Sequence, residues 1–161
     1  MTEKTEEKVR IKRVLIVDDN RIVRQLIRTF LERDGCTVWS AGSGEEALGI
    51  LGKCEPDVII PVVISDIALP GMDGLTLCRK LRKKEPLKIL IAVTGYTDCF
   101  SIAECRDAGF DDYLTKPFTQ QVLNASVENA FKRFFYWERL LYFDKSHRSW
   151  LKKRSGGFRL F

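Results

Sequence analysis

Short runs of β-branched and aliphatic residues alternate along the chain with stretches whose apolar positions recur three and four apart. Val14-Leu15-Ile16-Val17 is the first such run, and Ile22, Val23, Leu26, Ile27, Phe30 and Leu31 follow at helical spacing. Thr37-Val38-Trp39 predicts a second strand, and Ser43-x-x-Glu46 is a capping-box pattern opening a helix with Ala47, Leu48 and Leu51 on one face. Val62 to Ser65 predicts a third strand, with Leu75, Cys78 and Leu81 on the helix after it. Ile89 to Val93 predicts a fourth, followed by a helix from about Asp98 to Ala108 that Gly109 is placed to end. Asp112 to Leu114 predicts a short fifth strand, and Thr119 begins the last helix. Five strands alternating with five helices predict an α/β fold. Parallel strands need helical crossovers, so the sheet is expected to be parallel and covered on both faces.

Composition adds one domain with a tail. With 161 residues, 45% apolar and 30% charged, the chain can bury a single sizeable core. The run Val58 to Ile64 is too short to cross a bilayer, and MTEKTEEKVR is charged where a signal peptide is apolar, so a cytoplasmic location is expected. The five cysteines, Cys36, Cys54, Cys78, Cys99 and Cys105, form no CxxC pair, which argues against a zinc site or disulfide framework. Charge is unevenly placed. Residues 131–161 hold nine Lys/Arg against Glu138 and Asp144, a net +7, so residues 1–130 carry −2 of the chain's total of +5. The basic balance therefore belongs to the C-terminal segment.

Parallel α/β sheets bind ligands at the carboxyl ends of their strands. Asp18-Asp19 follow the first strand, Asp66 ends the third, Thr94 ends the fourth and Lys116 follows the fifth, so the topology gathers them on one edge. Three carboxylates brought that close repel one another unless a cation intervenes, and oxygen ligands without His or Cys select a hard ion such as Mg²⁺. Lys116 adds a fixed positive charge and Thr94 a hydroxyl. That combination suits a phosphoryl group. No Gly-rich Walker loop is present, so a carboxylate that forms an aspartyl phosphate fits better than a bound nucleotide.

LIVDDN (Leu15 to Asn20), SDIALPGMDG (Ser65 to Gly74), VTG (Val93 to Gly95) and DDYLTKPF (Asp111 to Phe118) resemble, in order and spacing, the receiver domain of two-component response regulators. The resemblance runs from about Arg13 to Val127 and implies a flavodoxin-like, doubly wound five-stranded sheet. It implies that Asp66 is the phosphoacceptor and that Asp18, Asp19, Asp66 and the main-chain carbonyl of Ala68 hold Mg²⁺. Thr94 would hydrogen-bond a phosphoryl oxygen, and Lys116 would pair with the phosphoryl group across a cis Lys116-Pro117 bond. Tyr113 falls at the aromatic switch position, so that movement of Thr94 would turn it inward and alter the surface made by the fourth helix, fifth strand and fifth helix. The implied partner is a histidine kinase or histidine phosphotransfer protein, and the implied chemistry is self-phosphorylation with slow loss of phosphate, short of enzymatic turnover.

Three departures accompany the resemblance. Gly95 stands where the family often has Ala, and Ala68 and Tyr96 occupy the positions that tune phosphoryl lifetime. The stretch from Pro56-Asp57 to Asp66 is also longer than the usual pattern. Pro61 cannot donate to a ladder, so it is placed at the start of the third strand, with Val58 to Ile60 as an apolar approach.

Three segments follow: a charged tail over 1–10, the receiver over 11–130, and a basic, aromatic-rich helical extension and tail over 131–161. Leu123, Val127, Ala130, Phe134, Trp137 and Leu141 form a seam spaced 4-3-4-3-4 that carries the last helix beyond the domain. Its exposed apolar surface calls for cover from its own chain, a second copy, a kinase, phosphotransfer protein or effector, or a nucleic acid or anionic membrane. Residues 144–161 are too few for a winged-helix DNA-reading unit, and His147 lacks the helical-bundle surroundings of a phosphodonor. Two other functions are weighed. A phosphatase of haloacid-dehalogenase type would need its nucleophile after the first strand, paired with an acid two residues on, whereas Asp18 and Asp19 are adjacent. A flavodoxin-like adaptor that is never phosphorylated leaves the acidic cluster unexplained.

Overall fold

A computed structural model describes residues 10–95 and 100–155, with 142–155 as helical backbone. Five strands and five helices alternate: β1 Arg13–Val17, α1 Arg21–Arg33, β2 Thr37–Ala41, α2 Gly44–Lys53, β3 Val62–Asp66, α3 Gly74–Lys84, β4 Ile89–Thr94, α4 Ile102–Ala108, β5 Asp112–Thr115 and α5 Gln120–Ser155. All neighbouring strands pair in parallel, in the order β2-β1-β3-β4-β5. The expected flavodoxin-like, doubly wound sheet is present.

Side chains alternate across a strand, and here both faces are buried. Val14, Ile16, Val62, Ile64, Ile89 and Ile91 meet Ile27 and Leu31 of α1 and Leu123 and Val127 of α5. Leu15, Val17, Val63, Leu90 and Ala92 meet Ala47 of α2, Leu75, Cys78 and Leu81 of α3, and Cys105 of α4. The near-continuous aliphatic runs in the sequence are the consequence of that double coverage.

Local chemistry moves several expected boundaries. α4 starts at Ile102 rather than near Asp98, because Ser101 and Glu104 form a reciprocal capping box there. Gly109 ends it at φ 110°, a left-handed conformation that favours glycine. At α2 only half of the expected box forms: Ser43 Oγ accepts from Glu46 N, while the Glu46 carboxylate accepts from Gly42 N at 2.7 Å. Along α1 the apolar stripe is only partly used, since Ile22 is 79% exposed whereas Ile27 and Leu31 are buried.

Pro61 sits immediately before β3, where its carbonyl accepts from Ile89 N at 2.9 Å. The lengthened approach is pinned by a buried lysine: Lys88 Nζ donates to Ile60 O at 2.5 Å and pairs with Glu85 at 2.9 Å. The seam along α5 divides in two. Leu123, Val127, Ala130 and Phe134 are buried, and Phe131 packs into the same core, but Trp137 is 49% exposed and Leu141 40%. The sheet ends before the helix does. Cys36, Cys54 and Cys78 are free thiols; Cys99 and Tyr96 lie outside the described residues, as do most of the N-terminal tail and residues 156–161.

Candidate functional site

The carboxyl ends of β1, β3, β4 and β5 deliver the polar residues to one edge of the sheet. Asp18 follows β1, its N–H donating to Ala41 O at 3.2 Å, and Asp66 is the last residue of β3. Both are buried, Asp18 to 2% exposure and Asp66 to 7%, while Asp19 faces solvent. Oxygens of Asp18, Asp19 and Asp66 lie within 4.8 Å of one another. Three converging carboxylates form a hard oxygen donor set that fits a divalent cation such as Mg²⁺.

Lys116 bridges the two buried acids, with Nζ at 3.0 Å from Asp18 Oδ2 and 2.9 Å from Asp66 Oδ2. The remaining oxygens are also held: Asp18 Oδ1 accepts from Asn20 N at 2.8 Å, and Asp66 Oδ1 accepts from Ala68 N at 3.0 Å. Burial pushes the Asp66 carboxyl above its usual range; Lys116 opposes that rise, and the charge on Asp18 adds to it. For Lys116, burial works against the ammonium, but hydrogen bonds to Asp66 and Asp18 outweigh it and raise its pKa. The Lys116-Pro117 bond is cis, as expected, and Lys116 N donates to Thr94 O at 2.7 Å, joining the ends of β4 and β5.

Thr94 directly follows Val93, the partner of Asp66 in the β3–β4 ladder, and Tyr113 pairs with Ala92 across β4–β5. Thr94 is half-buried, with Oγ1 donating to Leu114 O at 3.5 Å, and Tyr113 is 39% exposed on β5. Ala68 reaches the cluster through its N–H.

Three supporting residues were not singled out from the sequence. Asn20 caps α1, accepting from Ile22 N and Val23 N, which fixes the turn that carries Asp18 and Asp19. Arg24 Nη1 donates to Asp18 O at 2.5 Å and to Asp19 O at 3.2 Å from the first turn of α1. Gly74 begins α3 against the end of β3, where a Cβ would lie 2.3 Å from Asp66 O and 2.7 Å from Ile67 Cα. Only glycine permits that approach. A glycine directly after the helix cap Asp73 was the available signal, and the close approach itself emerges only in three dimensions.

Residues 14–128 match the model of the response regulator receiver domain. The chain belongs to the response regulator receiver family. This receiver is 35% identical to the transcriptional regulatory protein AruR of Pseudomonas aeruginosa, over 76% of the chain and 50% of that protein. It is 34% identical to the alkaline phosphatase synthesis transcriptional regulatory protein PhoP of Bacillus subtilis, over 76% of the chain and 49% of that protein. The chain thus spans about half the length of the curated relatives it matches. Among solved structures, a response regulator receiver domain protein from Clostridium thermocellum superposes with a TM-score of 0.72 at 32% identity, covering 81% of this receiver and 99% of that chain. The chemotaxis response regulator CheY4 of Vibrio cholerae gives 0.67 at 27% identity, covering 75% and 99%. No helix among the described residues of the receiver is long and apolar enough to cross a membrane.

Proposed function

We propose that the protein is a cytoplasmic phosphorylation switch, in which Asp66 accepts a phosphoryl group from the phosphohistidine of a histidine kinase or phosphotransfer protein. An Asp66 carboxylate oxygen attacks phosphorus, the phosphorus–nitrogen bond breaks, and the imidazole leaves with the electron pair and takes up a proton. The observation that carries the reading is Lys116, whose ammonium lies between Asp66 and Asp18 and is placed to pair with an incoming phosphoryl oxygen. Mg²⁺, held by Asp18, Asp19, Asp66 and the Ala68 carbonyl, would supply charge neutralisation when bound. Thr94 then exchanges its weak bond to Leu114 O for a phosphoryl oxygen. Tyr113 follows it inward, and the α4-β5-α5 surface changes its affinity for a partner or a second copy. The acyl phosphate is lost slowly, so the protein is a switch and not a phosphatase.

The test is Mg²⁺-dependent labelling by a small phosphodonor such as acetyl phosphate, read by intact mass. One phosphoryl group is expected on the wild-type chain and none on Asp66→Asn. Full labelling of that variant would sink the assignment, and multiple-turnover phosphate release from varied substrates would favour a phosphatase.

A further inference from the structure

Two features that depart from the receiver pattern meet in space. The lengthened approach to β3, and α5 where it leaves the sheet, line one groove of about 660 Å³, within the usual size of ligand clefts of about 300–1,000 Å³. The approach contributes Ile59 and Pro61, and the helix contributes Phe134, Phe135 and Arg139. Arg13, the first residue of β1, and Arg10, three residues before it, complete the cationic side. The groove therefore lies at the amino ends of the strands, opposite the acidic cluster.

The groove is held open by specific contacts. Ile60 is buried and its carbonyl is fixed by Lys88, so the neighbouring Ile59 is presented outward at 49% exposure. Arg13 Nη1 donates to Ile59 O at 3.4 Å, and the Arg10 guanidinium lies 4.7 Å from the centre of the Phe135 ring. Ile59 on its pinned segment, beside Ile11 at 52% exposure and the half-buried Phe135, presents apolar surface that water solvates poorly.

Charge and shape choose the occupant. Arg10, Arg13 and Arg139 outnumber Asp57 and Glu138 around the groove, and the whole chain is net +5. A second copy brings the same positive charge, and a flat lipid surface does not fill a concavity. An amphipathic helix with an apolar ridge and acidic flanks satisfies both conditions. We propose that this groove docks an acidic amphipathic segment of a partner protein, with Ile11, Ile59 and Phe135 receiving its apolar side chains and Arg10, Arg13 and Arg139 its carboxylates.

The probe is a fluorescein-labelled peptide with leucines at i, i+3, i+4 and i+7 and glutamates elsewhere, titrated with the full chain and read by anisotropy. A second peptide with lysines in place of the glutamates is the control. Saturable binding of the acidic peptide alone is expected, weakening with salt. Ile59→Glu and Arg139→Glu, both at exposed positions, should each reduce affinity by about tenfold or more with an unchanged circular dichroism spectrum. Mg²⁺-dependent labelling of Asp66 should be unaffected, which separates this site from the phosphoryl site. Equal binding of both peptides, or unchanged affinity in both variants, overturns the proposal. So does a dimer that Ile59→Glu dissociates, or sedimentation with anionic lipid vesicles that Ile59→Glu abolishes; these outcomes would assign the groove to a second copy or to a membrane.

Discussion

At the carboxyl edge of the sheet the chain buries charge, and at the amino edge it exposes hydrocarbon. Both arrangements cost stability, but they are supported differently. Asp18 and Asp66 are tolerated inside because Lys116, Asn20 and Ala68 occupy their oxygens. Ile59 and Trp137 each stay 49% exposed and Leu141 40%. Charge at the first edge is satisfied within the fold, whereas the apolar surface of the second finds its match outside it. A site that holds a small group can be complete in one chain; a surface that docks another molecule is completed only by its partner.

The largest blow to the first edge should come from Gly74→Val. Its side chain must displace the main chain at Asp66 and Ile67, and we expect a loss of about 3 kcal/mol in urea unfolding together with loss of labelling at Asp66. On the seam that joins the two edges, Phe134→Ala should cost a similar ~3 kcal/mol, whereas Trp137→Ala, three residues on, should change stability by less than about 0.5 kcal/mol. Equal effects would erase the distinction between covered and uncovered parts of α5. With Mg²⁺ at about a hundred times its dissociation constant, stability should rise by ~2.7 kcal/mol, and the gain should vanish in Asp18→Asn.

Lys116→Met should cost about 2 kcal/mol at neutral pH, because two buried carboxylates lose their ammonium. In that variant burial holds the Asp66 carboxyl above its unfolded pKa, so its protonated form favours folding. The deficit should therefore be present above the raised folded value and shrink as pH falls below the unfolded one. A deficit independent of pH between 3 and 7 would show that Lys116 acts through packing alone.

Much of the first edge was legible because it depends on sequence order. Strand runs, helix periods and the rule for parallel sheets place Asp18, Asp19, Asp66, Thr94 and Lys116 together without coordinates. The roles of Arg24 and Gly74 depend on distances between main-chain atoms, which periodicity does not encode. The same limit explains α1: Ile22 and Ile27 are both apolar and helical, and only the position of the sheet distinguishes the exposed from the buried one. The α5 seam was read correctly as helical, but its spacing does not tell where the sheet stops. The lengthened approach was visible as an anomaly, and its meaning awaited the helix that packs beside it.

A helix that runs without interruption from Gln120 to Ser155 is also a lever. Ser126 Oγ donates to Asp112 Oδ2 at 2.7 Å, tying its short arm to β5, the strand that carries Tyr113. From Trp137 to Ser155 the helix is roughly 28 Å long at 1.5 Å per residue, so a tilt of about 5° at the body swings its tip by about 2.5 Å. A displacement too small to repack the core becomes, at the tip, large enough to make or break a van der Waals contact.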